Sequence, residues 1–300
     1  MSGALKEVRD RIKSIKNTQQ ITSAMKMVSA AKLRRAQQAI TELRPYSDRL
    51  DLILKNVISN LGDDASTSLG VERPVERAVI VVVTSSRGLC GAFNTNIIKE
   101  TIKLIEGDLA PVRASGKLSM VFVGKKGYDY FKKRYTDCDL NTEYLNLFSD
   151  LEFENVAELA NEMISKFETA DIDKVYVTYG RFKNAALQFA ESVQFLPVEK
   201  IEPVNEAGIA PSSRADYIFE PGKKELLDEL IPSILRTSMH KYMLDTHASE
   251  HGARMTAMDN ATENAEELVK ELKISYNKAR QEAITKELSE IVGGAAALEG

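Results

Sequence analysis

Between Ala4 and Ser59 the chain has no glycine and a single proline, Pro45, and from Pro221 to about Val292 a second long stretch reads as helix. These two stretches constrain the fold more than any other feature. At ~1.5 Å per residue, a helix of about 70 residues is roughly 100 Å long. A chain of 300 residues has no core able to bury such a rod along its whole length. The rod must pair with the other terminal helix and then project into something else. Leu5, Val8, Ile12 and Ile15 mark one helical face at 3–4 spacing, after which the stripe drifts to Gln19, Thr22, Met25 and Val28. In the C-terminal stretch Met255, Met258, Leu268, Leu272, Tyr276, Ala279, Ala283, Ile284, Leu288 and Ile291 form a broken stripe. Pro232 is expected to interrupt that helix near its start and Gly252 in its middle. Such mixed spacing suggests a bent rod rather than a regular supercoil.

Charge supports pairing of the two ends. Residues 1–50 carry eleven Lys/Arg and four Asp/Glu, a net of +7, whereas residues 222–300 carry ten Lys/Arg and fourteen Asp/Glu, a net of −4. The basic residues Arg9, Arg11, Lys13, Lys16, Lys26, Lys32, Arg34 and Arg35 could serve nucleic acid. No aromatic residue occurs among them before Tyr46 and the whole chain is acidic at −4, so an acidic protein partner fits better. No apolar run approaches the ~18–20 residues of a bilayer span. The N-terminus, with Glu7 and Asp10, resembles neither a signal nor a transit peptide. Two cysteines, Cys90 and Cys138, make neither a disulfide framework nor a Cys-rich metal site and suit a reducing setting.

Between the ends the pattern changes to short β-branched runs: 77–85, 117–124, 173–182 and 188–196 read as strands, alternating with helices at 95–105, 126–135 and 154–169. That alternation predicts a mostly parallel, Rossmann-like α/β domain inserted between two antiparallel terminal helices. The expected divisions are 1–60 for the N-terminal helix, 74–200 for the α/β domain, 201–220 for a linker and 221–300 for the C-terminal helix.

Two stretches could carry chemistry. "TSSRGLCGAFN" (84–94) has the strand–glycine–helix layout of a phosphate cradle. It lacks the lysine of a Walker A loop and the third glycine of the dinucleotide fingerprint, so it reads more simply as a tight turn exposing Arg87. "HASEH" gives His247, Glu250 and His251 the spacing of an inverted zincin, which would make the chain a zinc metallohydrolase. No third ligand stands nearby, and His240 is the one other histidine, so a solvated helix face is the simpler reading. Mechanical or interaction protein, metal hydrolase and nucleotide-binding regulator are the readings in play.

The C-terminal "ITKELSEIVGGAAA" matches the gamma-subunit signature of F-type ATP synthases at Ile284, Thr285, Glu287, Glu290, Gly294 and Ala295. "IKNTQQITSAMKMVSAAKLRRAQ" (15–37), "RGLCGAFN" (87–94), "YIFEP" (217–221) and "YNKARQ" (276–281) resemble the same family, in order and across the whole chain. The resemblance implies a non-catalytic central shaft without cofactors. The shaft would transmit rotation of the membrane c-ring, driven by protons, to the alpha and beta subunits of F1, at the cytoplasmic face of a bacterial inner membrane. It implies beta-subunit contacts at Met25, Lys26, Arg87, Lys99, Arg254, Gln281, Thr285 and Glu287, and contacts of the foot with the epsilon subunit and c-ring at Tyr217 and Glu220. Ser86 departs from the family's usual aspartate before Arg-Gly, which leaves the orientation of Arg87 open.

Overall fold

The computed structural model describes residues 3–61, 68–198 and 222–298. The elements in order are α1 (Gly3–Leu61), β1 (Ala78–Val83), α2 (Phe93–Glu106), α3 (Ala110–Ala114), β2 (Leu118–Val123), α4 (Lys125–Phe131), β3 (Asp139–Asn141), α5 (Phe153–Glu168), β4 (Lys174–Phe182), β5 (Gln188–Leu196) and α6 (Lys223–Leu298). The chain divides into two compact units. One comprises Met1–Ala30 and Arg254–Gly300, the other Ala31–Ala253, so the division falls inside both long helices.

The first unit is an antiparallel helix pair. Arg9 Nη2 donates to Tyr276 Oη at 2.8 Å, Thr22 and Thr262 hydroxyls meet at 2.7 Å, and Lys26 forms an ion pair with Asp259. Thirteen residues forward along α1, from Arg9 to Thr22, correspond to fourteen backward along α6, from Tyr276 to Thr262. The shielded positions of α1 include Leu5, Val8, Ile12, Ile15, Gln19, Thr22, Lys26 and Ser29, an unbroken alternation of three and four. Those of α6 run Met258, Thr262, Ala265, Val269, Leu272, Tyr276, Ala279 and Ala283, alternating four and three. This is the heptad of a left-handed coiled coil, and the expectation of mixed spacing does not hold here. The seam also takes different residues from those expected. Ser29 is 3% exposed whereas Val28 is 59% exposed, and Val269 is 6% exposed whereas Leu268 is 46% exposed. Heptad phase, not side-chain hydrophobicity, chooses the seam.

The second unit is built on one five-stranded sheet of order β3-β2-β1-β4-β5, parallel except for β5. Central β1 is buried on both faces, as its uninterrupted AVIVVV run requires. Val79, Val81 and Val83 face α5 and the first part of α6, through Leu159, Met163, Phe167, Leu235 and Met239 among others. Ala78, Ile80 and Val82 face α2, α3 and α4 through Phe93, Ile97, Ile105, Val112 and Phe131. The inserted α/β domain is therefore as the strand–helix alternation predicts. The expected strands and helices all form, with ends shifted by a few residues, while the short α3 and β3 carried no sequence signal.

Pro232 and Gly252 do not interrupt α6, which runs unbroken for 76 residues. Gly252 instead permits a close approach. A Cβ there would lie 3.3 Å from Ala185 Cα and 3.4 Å from Gln188 Nε2, at the tip of the β4–β5 hairpin. Asn184 closes that tip by accepting the Ala186 and Leu187 amides at 3.0 and 2.8 Å. The 201–220 linker lies outside the described residues.

Candidate functional site

The turn after β1 folds back on itself through Leu89 and Gly91, both left-handed at φ 65° and 58°. Its hollow is filled by the chain's own side chains. Asn94 Oδ1 accepts the Ser85 amide at 3.0 Å, Asn94 Nδ2 donates to Ser85 Oγ at 2.7 Å, and Ser85 Oγ donates to the Arg87 carbonyl at 2.7 Å. Buried Cys90 lines the same space, its Sγ 3.2 Å from Asn94 Nδ2. A phosphate cradle needs inward amides awaiting an anion; here asparagine occupies that place. Arg87 is exposed, as is Lys99 farther along α2. Ser85 and Asn94 set the turn.

The other place where such a sheet binds nucleotides is the crevice where strand order reverses, here beyond the carboxyl ends of β1 and β4. Helix α6 occupies it. β1 and β4 last pair at Val82↔Thr178. Two residues on, the Gly180 amide donates to Thr246 Oγ1 at 3.2 Å, and Ser249 Oγ donates to the Gly180 carbonyl at 3.0 Å. Two helix hydroxyls thus take over the bonds of the Gly180 backbone where β1 has ended. A Cβ on Gly180 would stand 2.6 Å from Phe93 Cε2, so this junction tolerates only glycine without movement. Sequence reading missed Gly180, Thr246 and Ser249; the one available signal was two hydroxyls three residues apart on the helix.

The His247–His251 segment is not a solvated face. Glu250 and His251 are 7% and 5% exposed, and Phe148 stacks on the His247 ring. The two histidines share a hydrogen bond, Nε2 to Nε2 at 3.1 Å. Among the described residues no three His, Cys, Asp or Glu side chains form a metal-holding group, so the zinc metallohydrolase reading has no centre to rest on. His240 lies one face-repeat earlier. Its Nε2 is 3.1 Å from the Leu151 carbonyl, and burial lowers its pKa.

One buried acid stands out in this unit. Asp245, 8% exposed, has its carboxyl pushed up to about 6 by burial, against the opposing pull of Lys241, Arg181 and Arg44. Beside it Tyr179 and Tyr242 rings lie 4.6 Å apart, and Tyr179 Oη donates to Glu191 at 3.4 Å.

The residues implied as beta contacts fall into separate places. Met25 is half-buried in the coil, and Lys26, its side chain 41% exposed, already pairs with Asp259. Arg254 is 7% exposed. Gln281, Thr285 and Glu287 are exposed, with Thr285 Oγ1 donating back to the Gln281 carbonyl at 2.9 Å. These last three sit where the coil ends. Gly3, six residues before Arg9, falls opposite Glu282, six after Tyr276. Beyond it α6 continues for about 24 Å with no described α1 residue opposite. Ile284, Leu288, Ile291 and Val292 are 45–67% exposed there. Tyr217 and Glu220 lie outside the described residues. No described helix is long and apolar enough to cross a membrane.

Comparison with known proteins agrees with this architecture. The family model described as ATP synthase matches residues 4–298. The ATP synthase gamma chain of Cytophaga hutchinsonii is 48% identical over 297 residues, covering 98% of this chain and 99% of that one. That of Flavobacterium psychrophilum is 47% identical over 296 residues, covering 99% of each. Among solved structures, a chain of the Euglena gracilis mitochondrial ATP synthase (OSCP/F1/c-ring) superposes with a TM-score of 0.66 at 23% identity, over 99% of this chain and 95% of that one. A chain from the Tetrahymena thermophila mitochondrial central stalk and c-ring gives 0.57 at 22%, over 80% and 99%. The chain belongs to the ATP synthase gamma chain family.

Proposed function

We propose that this chain is the rotating central shaft of a bacterial proton-translocating ATP synthase, a subunit that makes and breaks no bonds itself. It passes rotation of the c-ring to the catalytic beta subunits, and carries the reverse motion during hydrolysis. The observation that carries this reading is the 48% identity to an ATP synthase gamma chain over 297 residues. The physical features fit it. Both places where the sheet could hold a nucleotide are filled by the chain's own side chains. The end of α6 carries exposed apolar residues past the coil, suited to a surrounding collar of alpha and beta subunits. The α/β unit is the foot, which meets the epsilon subunit and c-ring, with Tyr217 and Glu220 at that contact. The complex holds the chain at the cytoplasmic face of the inner membrane.

On this reading Arg254, Gln281, Thr285 and Glu287, with Met25 and Lys26, meet the beta subunits along the shaft, and Arg87 and Lys99 meet an acidic beta loop from the foot. Lys26 meets that partner with its charge already shared with Asp259. The test is reconstitution with alpha and beta subunits. The chain should form a stable complex with ATPase activity. Arg87→Glu should lower assembly or coupling while nucleotide affinity at the beta sites stays unchanged. Failure to assemble sinks the assignment; a loss of nucleotide affinity sinks the role given to Arg87.

A further inference from the structure

Leu89 is placed against its own chemistry. It is 64% exposed, more than any other large apolar side chain described in the second unit. Its backbone is also left-handed, at φ 65°. That conformation strains a bulky residue, whereas glycine, asparagine and aspartate accept it. The turn holding it is braced. Ser85, Cys90 and Asn94 fill the hollow behind it, and the Ser85 carbonyl accepts the Lys126 amide at 3.1 Å. An exposed leucine is ordinary by itself. An exposed leucine held in strain by a braced turn is not, because an asparagine there would suit both the turn and the solvent better.

Cations accompany it. Arg87 is exposed two residues earlier. Lys126, at the start of α4, reaches the same turn: its Cε lies 3.8 Å from where a Cβ on Gly88 would stand, and it too is exposed. Apolar anchors ringed by charge are the pattern of a binding hot spot, and the matching surface has an apolar floor and a carboxylate rim. We propose that Leu89 is the apolar anchor of the foot's contact with the beta subunit, with Lys126 beside Arg87 at its rim, a contact that presupposes the shaft reading above. The strain then has a use. A side chain already fixed in its docking conformation loses little freedom on binding.

The experiment is reconstitution of the full-length chain with alpha and beta subunits, followed by displacement of labelled chain by excess unlabelled chain. Leu89→Asn should be released about tenfold faster or more. The melting midpoint of the isolated variant should nevertheless equal or exceed that of the unsubstituted chain, since asparagine accepts the left-handed backbone. Leu89→Met, which keeps an apolar side chain, should be released at close to the unsubstituted rate. Lys126→Glu should also speed release, and its effect should shrink as salt rises while that of Leu89→Asn persists. Benzoylphenylalanine placed at position 89 should cross-link to beta. If the unsubstituted chain does not assemble, the shaft reading falls and this contact with it. If it assembles and Leu89→Asn is released at the same rate, the anchor alone is overturned. A lower melting midpoint for Leu89→Asn overturns it too, by assigning the leucine to folding, and cross-linking to alpha overturns the choice of partner. Unchanged release of Lys126→Glu removes that residue from the rim.

Discussion

The two halves of α6 belong to one continuous helix but bury themselves by different rules. From Leu227 to Met243 the buried apolar residues recur every four positions: Leu227, Ile231, Leu235, Met239 and Met243. From Met258 to Ala283 the shielded positions alternate four and three. A step of four overshoots the 3.6-residue turn, so the first stripe winds obliquely, along the i±4 ridge that a helix offers to another surface. An average step of 3.5 stays in line with one supercoiled partner. The contents differ as well. The sheet-bound half buries large apolar side chains completely, whereas the coil seam holds Thr262, Ala265, Ala279 and Ala283. One helix thus combines a deep anchorage with a shallow seam.

Truncation should separate the two most strongly. Met239, 0% exposed in the sheet-bound core, should cost about 2–5 kcal/mol as Met239→Ala. Val269→Ala in the coil, which removes two methyl groups, should cost about 1.5 kcal/mol. Thermal or urea unfolding of the two variants measures the difference, and equal losses would erase the distinction.

The sheet-bound half also holds the strained acid. The pKa of Asp245 in the folded chain, about 6, lies above the ordinary 3.8. Its ionisation therefore costs nothing below about pH 4, costs progressively more as pH rises through 6, and costs most above that. A rise of about two pH units corresponds to roughly 3 kcal/mol. Asp245→Asn should accordingly raise the melting midpoint at pH 7.5 and leave it unchanged at pH 4. An equal shift at both values would mean that packing, not charge, is responsible.

Gly180→Ala should cost about 1–3 kcal/mol, because Phe93 must move from 2.6 Å and the Thr246 and Ser249 bonds follow the displaced strand. Hydrogen exchange should then rise at 178–182 and 246–249 together. Exchange confined to the strand would show that α6 is not fastened there.

These contrasts were unequally legible in the sequence. The sheet was plain, because runs such as AVIVVV have few alternatives to a strand buried on both faces. The failure of the phosphate loop was also legible, from the missing lysine and glycine. The course of the coil seam was not. Apolar Val28 and Leu268 outscore Ser29 and Val269 or equal them on hydrophobicity, but partner geometry fixes the phase and leaves the former in solvent. Continuity through Pro232 and Gly252 was hidden for the same reason, since tertiary packing overrides local propensity. The plugging of the crevice by Thr246 and Ser249 depends on contacts between residues 66 or more positions apart, which no local pattern carries.

The smallest effect should come from the Lys26–Asp259 ion pair in the coil seam. Lys26 and Asp259 side chains are each 41% exposed, so water screens their attraction and the pair contributes about 0–1 kcal/mol. Replacing both, as Lys26→Met with Asp259→Leu, should change stability by less than about 1 kcal/mol in either direction. The pair nevertheless sits beside the Thr22–Thr262 bond, and two polar contacts in one stretch of seam fix how the helices align. Cross-linking between cysteines placed at positions 9 and 276 reads that alignment directly. In the double variant with Thr22→Val added, cross-linking should spread to neighbouring turns while the melting midpoint barely moves. If alignment stays sharp, the apolar contacts from Leu5 to Ile15 set the register alone, and the coil is as firmly specified as the sheet-bound half.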